Sequence, residues 1–251
     1  MMKRIAFLGG GKIGRNMMKH VQENGKAEVA FVYDPFLKET DLNGIPVVKE
    51  VTDEMLEGLD LVVECANAGV VAQFMVRVLK YTNFMPFSMT AFRDDSLRAG
   101  AGEAAKEYGH MVYLPHGAIL GLDGIFDGRS ELTEVTVETI KSPASLGRDD
   151  TEYTVLYEGP TRKAAELYPR NVNVHAAIAL AGIGFDKTHS KIIADPSVHT
   201  NTHLIHLVGK GIDFTIRVSS FSEGGVTGKY TPLSACGSLD RVLGGAGFQF
   251  V

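Results

Sequence analysis

Ile5-Ala6-Phe7-Leu8-Gly9-Gly10-Gly11-Lys12-Ile13-Gly14 is the stretch whose reading decides the fold. Four apolar residues running straight into glycines read as a buried parallel strand, because such a strand is covered on both faces. From Ile13 the apolar spacing becomes helical (Ile13, Met17, Met18, Val21), and Asn24-Gly25 is a helix stop. The glycines between form G-x-G-x-x-G in the strand–turn–helix setting that a dinucleotide-binding loop requires. Gly9 then makes the tight turn, Gly11 admits the pyrophosphate, and Gly14 lets helix meet strand. Lys12 and Ile13 open the helix, whose free N–H groups and dipole attract the anion. Asp34, 20 residues beyond Gly14, ends the second apolar run, Glu28–Tyr33, where an acid can bind ribose hydroxyls. Its charge repels a 2′-phosphate and favours NAD over NADP, with nearby Lys38 opposing. Lys12 is followed by Ile13 and not by Ser or Thr, so this is no nucleoside-triphosphate loop.

Outward from this loop the pattern repeats. Ile45–Val48 and Leu59–Cys65 read as further strands, with a short helix over Glu50–Glu57 between them. Val70–Tyr81 predicts a helix, Phe87–Met89 a short strand, Asp95–Tyr108 an alanine-rich helix and Met111–Leu114 a last strand. Alternation at this pitch gives the fold class: α/β, with an N-terminal doubly wound parallel sheet over residues 1–114.

After Pro115 the character changes. Gly117–Phe126 reads as a loop and helix, and Leu132–Lys141 as a half-exposed strand through Val135, Val137 and Ile140. Thr161–Tyr168 and Val172–Gly182 read as helices. Ser190–Ala194, His203–Val208, Asp213–Val218 and Ser219–Phe221 read as strands. Residues 115–228 therefore form a second α/β domain with an antiparallel or mixed sheet. Pro232–Leu243 is helical, and residues 229–251 are expected to pack back on the first domain.

Composition removes several function classes. The 251 residues carry a net charge of −5 and no run of lysine or arginine, so nucleic acid is not the partner. The opening apolar run ends after four residues, too short for a signal sequence. Asp60, Glu64, Asn67, Gln73 and Arg77 interrupt the longest apolar region, so no membrane span is expected. Cys65 and Cys236 are too few for a disulfide framework and fit a reducing, cytoplasmic setting.

A proton carrier that works near neutral pH is sought among the histidines. Five of eight lie between His175 and His206. A strand period of two puts Asn201 and His203 on one face with Ile205, and His206 on the other. The spacing of His199, His203 and His206 would suit a metal on a helix. Asp195-Pro196 and the Thr, Ile and Val content favour a strand, and no cysteine or acidic set supports a metal, so none is expected. From the residues alone, any one of these histidines is a candidate base.

The sequence resembles the L-aspartate dehydrogenase family from Gly9 almost to the C-terminus. The resemblance rests on Gly9–Gly14, Leu61-Val62-Val63-Glu64-Cys65-Ala66, Gly117-Ala118-Ile119-Leu120-Gly121-Leu122-Asp123, Tyr168-Pro169-Arg170-Asn171-Val172-Asn173-Val174, and Ile193-Ala194-Asp195-Pro196 through Asn201-x-His203-x-Ile205. It implies a Rossmann domain followed by an α/β domain whose sheet helps form a homodimer. It also implies reversible NAD- or NADP-dependent oxidation of L-aspartate to iminosuccinate, and so to oxaloacetate and ammonia. By position, His203 resembles the family's active-site histidine, and Ala118 and Asn173 its cofactor-contacting positions. His116 and His175 depart from the family, which has Ser and a small residue there, and with Asn201 they are candidate pocket residues that could change the substrate. Lys187, Arg162, Arg170 and Lys191 are the cations available for substrate carboxylates. Two other readings are a relative acting on another amino acid, imine or keto acid, and a cofactor-binding sensor without catalysis.

Overall fold

The computed structural model describes residues 2–221 and 228–244. The chain divides into two compact units. One runs from the first residues to Pro115 and takes up the chain again from Ser234; the other spans His116–Leu233.

In the first unit the expected strand and helix form β1 (Lys3–Leu8) and α1 (Lys12–Asn24), followed by β2 (Ala27–Tyr33). Helix α1 buries Met17, Met18 and Val21 and ends at Gly25 in the left-handed region, which glycine enters without steric cost. A short hairpin, β3 (Asp41–Leu42) and β4 (Ile45–Val48), comes next, then β5 (Leu61–Glu64), α2 (Ala68–Val78), β6 (Asn83–Pro86) and α3 (Asp95–Tyr108). Among the described residues these strands make a six-stranded sheet in the order β3-β4-β2-β1-β5-β6. It is parallel except for the β3–β4 pair. The doubly wound order places the C-terminal ends of β1, β2 and β5 together, where ligands bind in open α/β sheets.

Three expectations for this unit fail. Glu50–Glu57 is a chain of turns. Its buried apolar residues, Val51 and Leu56, are five apart and cannot share a helix face, while Asp53 is held by Arg77 at 2.6 Å and Tyr81 at 2.9 Å. The strand placed at Phe87–Met89 lies earlier, at Asn83–Pro86: the Phe87 amide still bonds the Glu64 carbonyl at 2.9 Å, but the Ser88 amide and hydroxyl turn to the Glu64 carboxylate and the chain leaves the ladder there. Met111–Leu114 contributes one bridge, Val112 to Phe84, and Pro115, with no N–H, follows directly.

The last helix, α7 (Tyr230–Leu243), adds Ala235, Leu239 and Leu243 to the apolar cluster that contains Ile5, Phe7, Met17, Met18 and Val21. Asp240 ties it to α1 through His20 at 2.9 Å and to Lys26 at 3.0 Å, and Lys3 Nζ donates to the Val242 carbonyl at 3.2 Å. The part of the expected C-terminal segment from residue 245 onward lies outside the described residues.

The second unit comprises α4 (Leu122–Gly128), β7 (Leu132–Lys141), β8 (Thr154–Pro160), α5 (Thr161–Leu167), α6 (Asn173–Ala181), β9 (His189–Ala194), β10 (Thr200–Gly209) and β11 (Ile212–Phe221). The described residues form a mixed five-stranded sheet, β11-β10-β7-β9-β8. Strand β8 is absent from the sequence reading: it is an edge strand, half exposed, ending in Gly159-Pro160, and such a strand carries a weak pattern. On β7 the buried face is Val135, Val137, Thr139 and Lys141, whereas Ile140 is only half buried on the other face. The expected strands from Asp213 to Phe221 are one continuous strand paired along its length with β10.

Replacing Leu239 by Ala removes a fully buried side chain from the first unit's cluster. We expect a loss of about 2–5 kcal/mol in denaturant unfolding, although the residue lies over two hundred positions from β1 in sequence.

Candidate active site

The glycine loop is held from three sides. Gly9, at φ 114°, donates its amide to the Tyr33 carbonyl at 2.8 Å. Gly10 donates to Asp34 Oδ2 at 3.0 Å, and Asp34 Oδ1 accepts from the amides of Phe36 at 3.0 Å and Leu37 at 3.3 Å. Cys65 donates its thiol to the Gly9 carbonyl at 3.2 Å. Asp34 therefore fixes the end of β2 to the loop and keeps a lone pair on Oδ2 for a ribose hydroxyl.

Each glycine answers a different requirement. A Cβ on Gly14 would fall 2.3 Å from the Gly9 carbonyl oxygen and 2.9 Å from Cys65 Sγ, so this glycine is a packing necessity. A Cβ on Gly11 would meet nothing within 4 Å. Helices α2 and α3 are capped by the side chains of Asn67 and Asp94, but α1 begins at Gly11 with no side-chain cap. The first intrahelical bond runs from Arg15 N to Gly11 O, which leaves the amides of Lys12, Ile13 and Gly14 without helical partners. An uncapped helix N-terminus facing open space beside an acid at the end of β2 fits a dinucleotide with its pyrophosphate on the helix and its ribose on Asp34.

The sequence reading missed Glu64. This carboxylate is fully buried at the end of β5 and accepts from Ala66 N (2.7 Å), Phe87 N (3.2 Å), Ser88 N (3.1 Å) and Ser88 Oγ (2.8 Å). Burial pushes its pKa up to about 7 against the pull of those hydrogen bonds. It clamps the ends of β5 and β6 together.

In the second unit the predicted face of β10 is realised: Asn201, His203 and Ile205 are all buried, and His206 is turned outward onto Asp213 at 3.0 Å. His203 pairs with Thr139 across the β10–β7 ladder, and its Nδ1 lies 2.8 Å from Thr139 Oγ1. The same hydroxyl is 2.7 Å from Nε2 of His175, whose Nδ1 is 2.8 Å from Ser190 Oγ. His175 is thus no open pocket residue. It sits fully buried on α6, two residues after Asn173, and is spent on hydrogen bonds to the sheet. Burial, then the charge of Lys141, lowers the pKa of His203 to about 3, and burial with the charges of His203 and Lys141 holds that of His175 well below the usual imidazole value. Both rings are neutral at physiological pH.

Lys141 was also missed, although the period that selects Val135 and Val137 continues through Thr139 to it. It is 3% exposed, and desolvation lowers its pKa to about 8. The cations named from sequence serve elsewhere: Arg162 grips Asp186 in two bonds of 2.6 and 2.7 Å, Lys191 faces Glu158 at 3.4 Å, and Arg170 and Lys187 are exposed. Ala118 lies in a turn closed by Ile119 N on the His116 carbonyl at 3.3 Å, and His116 faces Asp123 at 3.6 Å.

Comparison with known proteins agrees with both halves. Residues 9–115 match the homoserine dehydrogenase NAD-binding domain model, and residues 125–242 match the aspartate dehydrogenase C-terminal model. The L-aspartate dehydrogenase of Methanococcoides burtonii is 36% identical, over 96% of this chain and 97% of its own. That of Nitrosopumilus maritimus is 33% identical over 96% of each. The crystal structure of aspartate dehydrogenase from Thermotoga maritima superposes with a TM-score of 0.79 at 30% identity, over 97% of this chain and 95% of its own. The chain belongs to the aspartate dehydrogenase family. Its first unit is an NAD(P)-binding domain, and the protein is a nicotinamide-dependent oxidoreductase.

Two predictions come from this geometry. Gly11→Ala should leave thermal unfolding unchanged within about 0.5 kcal/mol while weakening cofactor binding measured by calorimetry. Gly14→Ala should destabilise the protein by roughly 1–3 kcal/mol. The buried histidines set an acid limit. His203 is neutral when folded but takes a proton near the ordinary imidazole value of about 6.5 when unfolded, so its contribution is present above that value and lost as pH falls toward 3. Glu64 acts in the opposite sense, losing its contribution as pH rises through about 7. The urea midpoint of a His203→Asn variant should therefore fall less between pH 6.5 and about 4 than that of the native protein.

Proposed function

We propose that this protein is an L-aspartate dehydrogenase in which His203 is the acid/base and NAD the preferred cofactor. The observation that carries the reading is a buried, neutral histidine beside a buried lysine, in a chain whose similar proteins are named L-aspartate dehydrogenase. Gly9, Gly11, Lys12, Ile13, Gly14 and Asp34 hold the dinucleotide, with Ala118 and Asn173 as its contacts in the second unit. NAD supplies the hydride acceptor when bound.

Aspartate enters as an ammonium with two carboxylates. His203 accepts one ammonium proton at Nε2, and the freed nitrogen lone pair forms the C=N bond as hydride leaves Cα. Once His203 has passed that proton to solvent, water adds to the iminium carbon and gives a proton to His203; His203 returns it to the nitrogen, and ammonia departs as the new hydroxyl loses its own proton, leaving oxaloacetate. A pKa near 3 makes His203 a poor proton acceptor in the empty site. A substrate carboxylate beside Lys141 offsets the lysine's charge and raises the basicity of His203, so the dicarboxylate substrate strengthens its own base. Asn201, on the same face, adds an amide to this pocket.

The same reading makes the protein a cytoplasmic homodimer. Two free cysteines support the first. The ten-residue edge strand β11, with Phe221 exposed at its end, supports the second.

Absorbance of reduced nicotinamide tests the proposal. We expect L-aspartate to reduce NAD faster than NADP, oxaloacetate with ammonia to run the reverse, and His203→Asn to lose roughly 10²–10⁴-fold in kcat while still binding NAD. Turnover of a different amino acid and none of aspartate would overturn the substrate assignment.

A further inference from the structure

We propose that His175, acting through Thr139, is a positioning residue that holds His203 with its proton on Nδ1 and its lone pair on Nε2. The inference rests on His203 being the acid/base. It comes from the direction of a hydrogen-bond chain buried between α5, α6 and the sheet.

The chain ends on a group that can only accept. Thr161 Oγ1 lies 3.0 Å from the Thr188 carbonyl oxygen and 2.7 Å from Ser190 Oγ. A hydroxyl has one proton, so Thr161 gives it to the carbonyl and must accept from Ser190. Ser190 has then used its own proton and accepts from His175 Nδ1. A neutral imidazole with hydrogen on Nδ1 has its lone pair on Nε2, so Thr139 Oγ1 donates to His175 Nε2. Thr139, its proton spent, accepts from His203 Nδ1. Every contact is satisfied in this one direction; reversing any link leaves two protons or two lone pairs facing each other in a dry interior, a costly arrangement. Among the described residues His203 Nε2 has no protein partner, so the nitrogen left with the lone pair is also the one open to substrate.

Neutrality of His175 is essential to the scheme, because an imidazolium would donate at Nε2 as well and reverse the Thr139 hydroxyl. Burial and the charges of His203 and Lys141 keep the ring neutral. The same arrangement answers imidazolium formation at His203 during turnover: Nδ1–H keeps its acceptor in both protonation states, so no other link rearranges when Nε2 gains a proton.

The test reads ring nitrogens directly. Protein labelled with ¹⁵N in histidine, full length and free of cofactor, should show His203 and His175 protonated on Nδ1 and bare on Nε2. Assignments come from the signals lost in His203→Asn and His175→Gln. Thr139→Val keeps the shape but removes the link, and should give His203 a mixed tautomer signature. In aspartate oxidation it should lower kcat roughly ten- to a hundredfold with KM for aspartate little changed. Thr139→Ser should restore both. At position 175 the two amides separate the roles. Glutamine places an acceptor where Nε2 was and should retain the tautomer and most of kcat, whereas asparagine reaches only toward Ser190 and should behave like Thr139→Val. A proton on His203 Nε2 in the native protein, or an unchanged His203 signature in Thr139→Val, would overturn the inference. Because the spectra need no turnover, they decide it even if aspartate is not the substrate. A His203→Asn enzyme with full activity would instead remove the acid/base reading while leaving the hydrogen-bond chain as observed.

Discussion

The first unit depends on the approach of two backbones with no side chain between them. Gly14 on α1 and the Gly9 carbonyl at the end of β1 lie so close that one methyl would fall 2.3 Å from the oxygen. That approach sets α1 against the sheet, so Met17, Met18 and Val21 reach the core together. It also aims the amides of the first turn past the end of β1, where Asp34 and the β2 terminus already hold the loop. Packing and the placing of an uncapped helix N-terminus are thus one constraint, whereas Gly11, whose Cβ would touch nothing, answers to no packing requirement of the fold.

The second unit answers a different difficulty, which is to keep polar groups inside a sheet. Thr139, His175, Ser190 and Thr161 are fully buried, and His203 is nearly so. Each would be costly alone. Strung in order and ended on a backbone carbonyl, they satisfy one another and give the His203 face of the sheet a fixed sense of donor and acceptor. Lys141, two residues from Thr139 on the same strand, supplies the charge that this otherwise neutral array lacks.

How much of this was legible depends on which side chains announced themselves. Helix α3 could be read from residue 95 to 108 because Asp94 caps it and Gly109 stops it, both short-range signals. Strand β7 was bounded correctly, yet its inner face was misjudged: Ile140 looked like the buried residue, and Thr139 and Lys141 did not, since hydropathy cannot see that a hydroxyl or an ammonium has an interior partner. The same blindness hid Glu64, whose carboxylate gathers the Ser88 amide and hydroxyl and so ends β6 early. Strand β8, at an edge and ending in Gly-Pro, had little pattern to offer. His203 was legible as a strand residue sharing a face with Asn201 and Ile205, but its choice as the candidate base rested on family resemblance. His175 stood out only as a departure, and its hydrogen bonds to Thr139 and Ser190 are seen only in the fold.

The split membership of the first unit affects how the protein comes off the ribosome. Its sheet is complete by Pro86, but the helix that finishes its apolar cluster does not begin until Tyr230. At ordinary synthesis rates the second unit takes on the order of ten seconds to emerge. For that interval a nearly finished dinucleotide-binding domain has an uncovered apolar surface, and nascent-chain chaperones would have most to guard there. The second unit, continuous in sequence, is free to mature first, so the later-encoded half of the enzyme can reach its native form ahead of the earlier one.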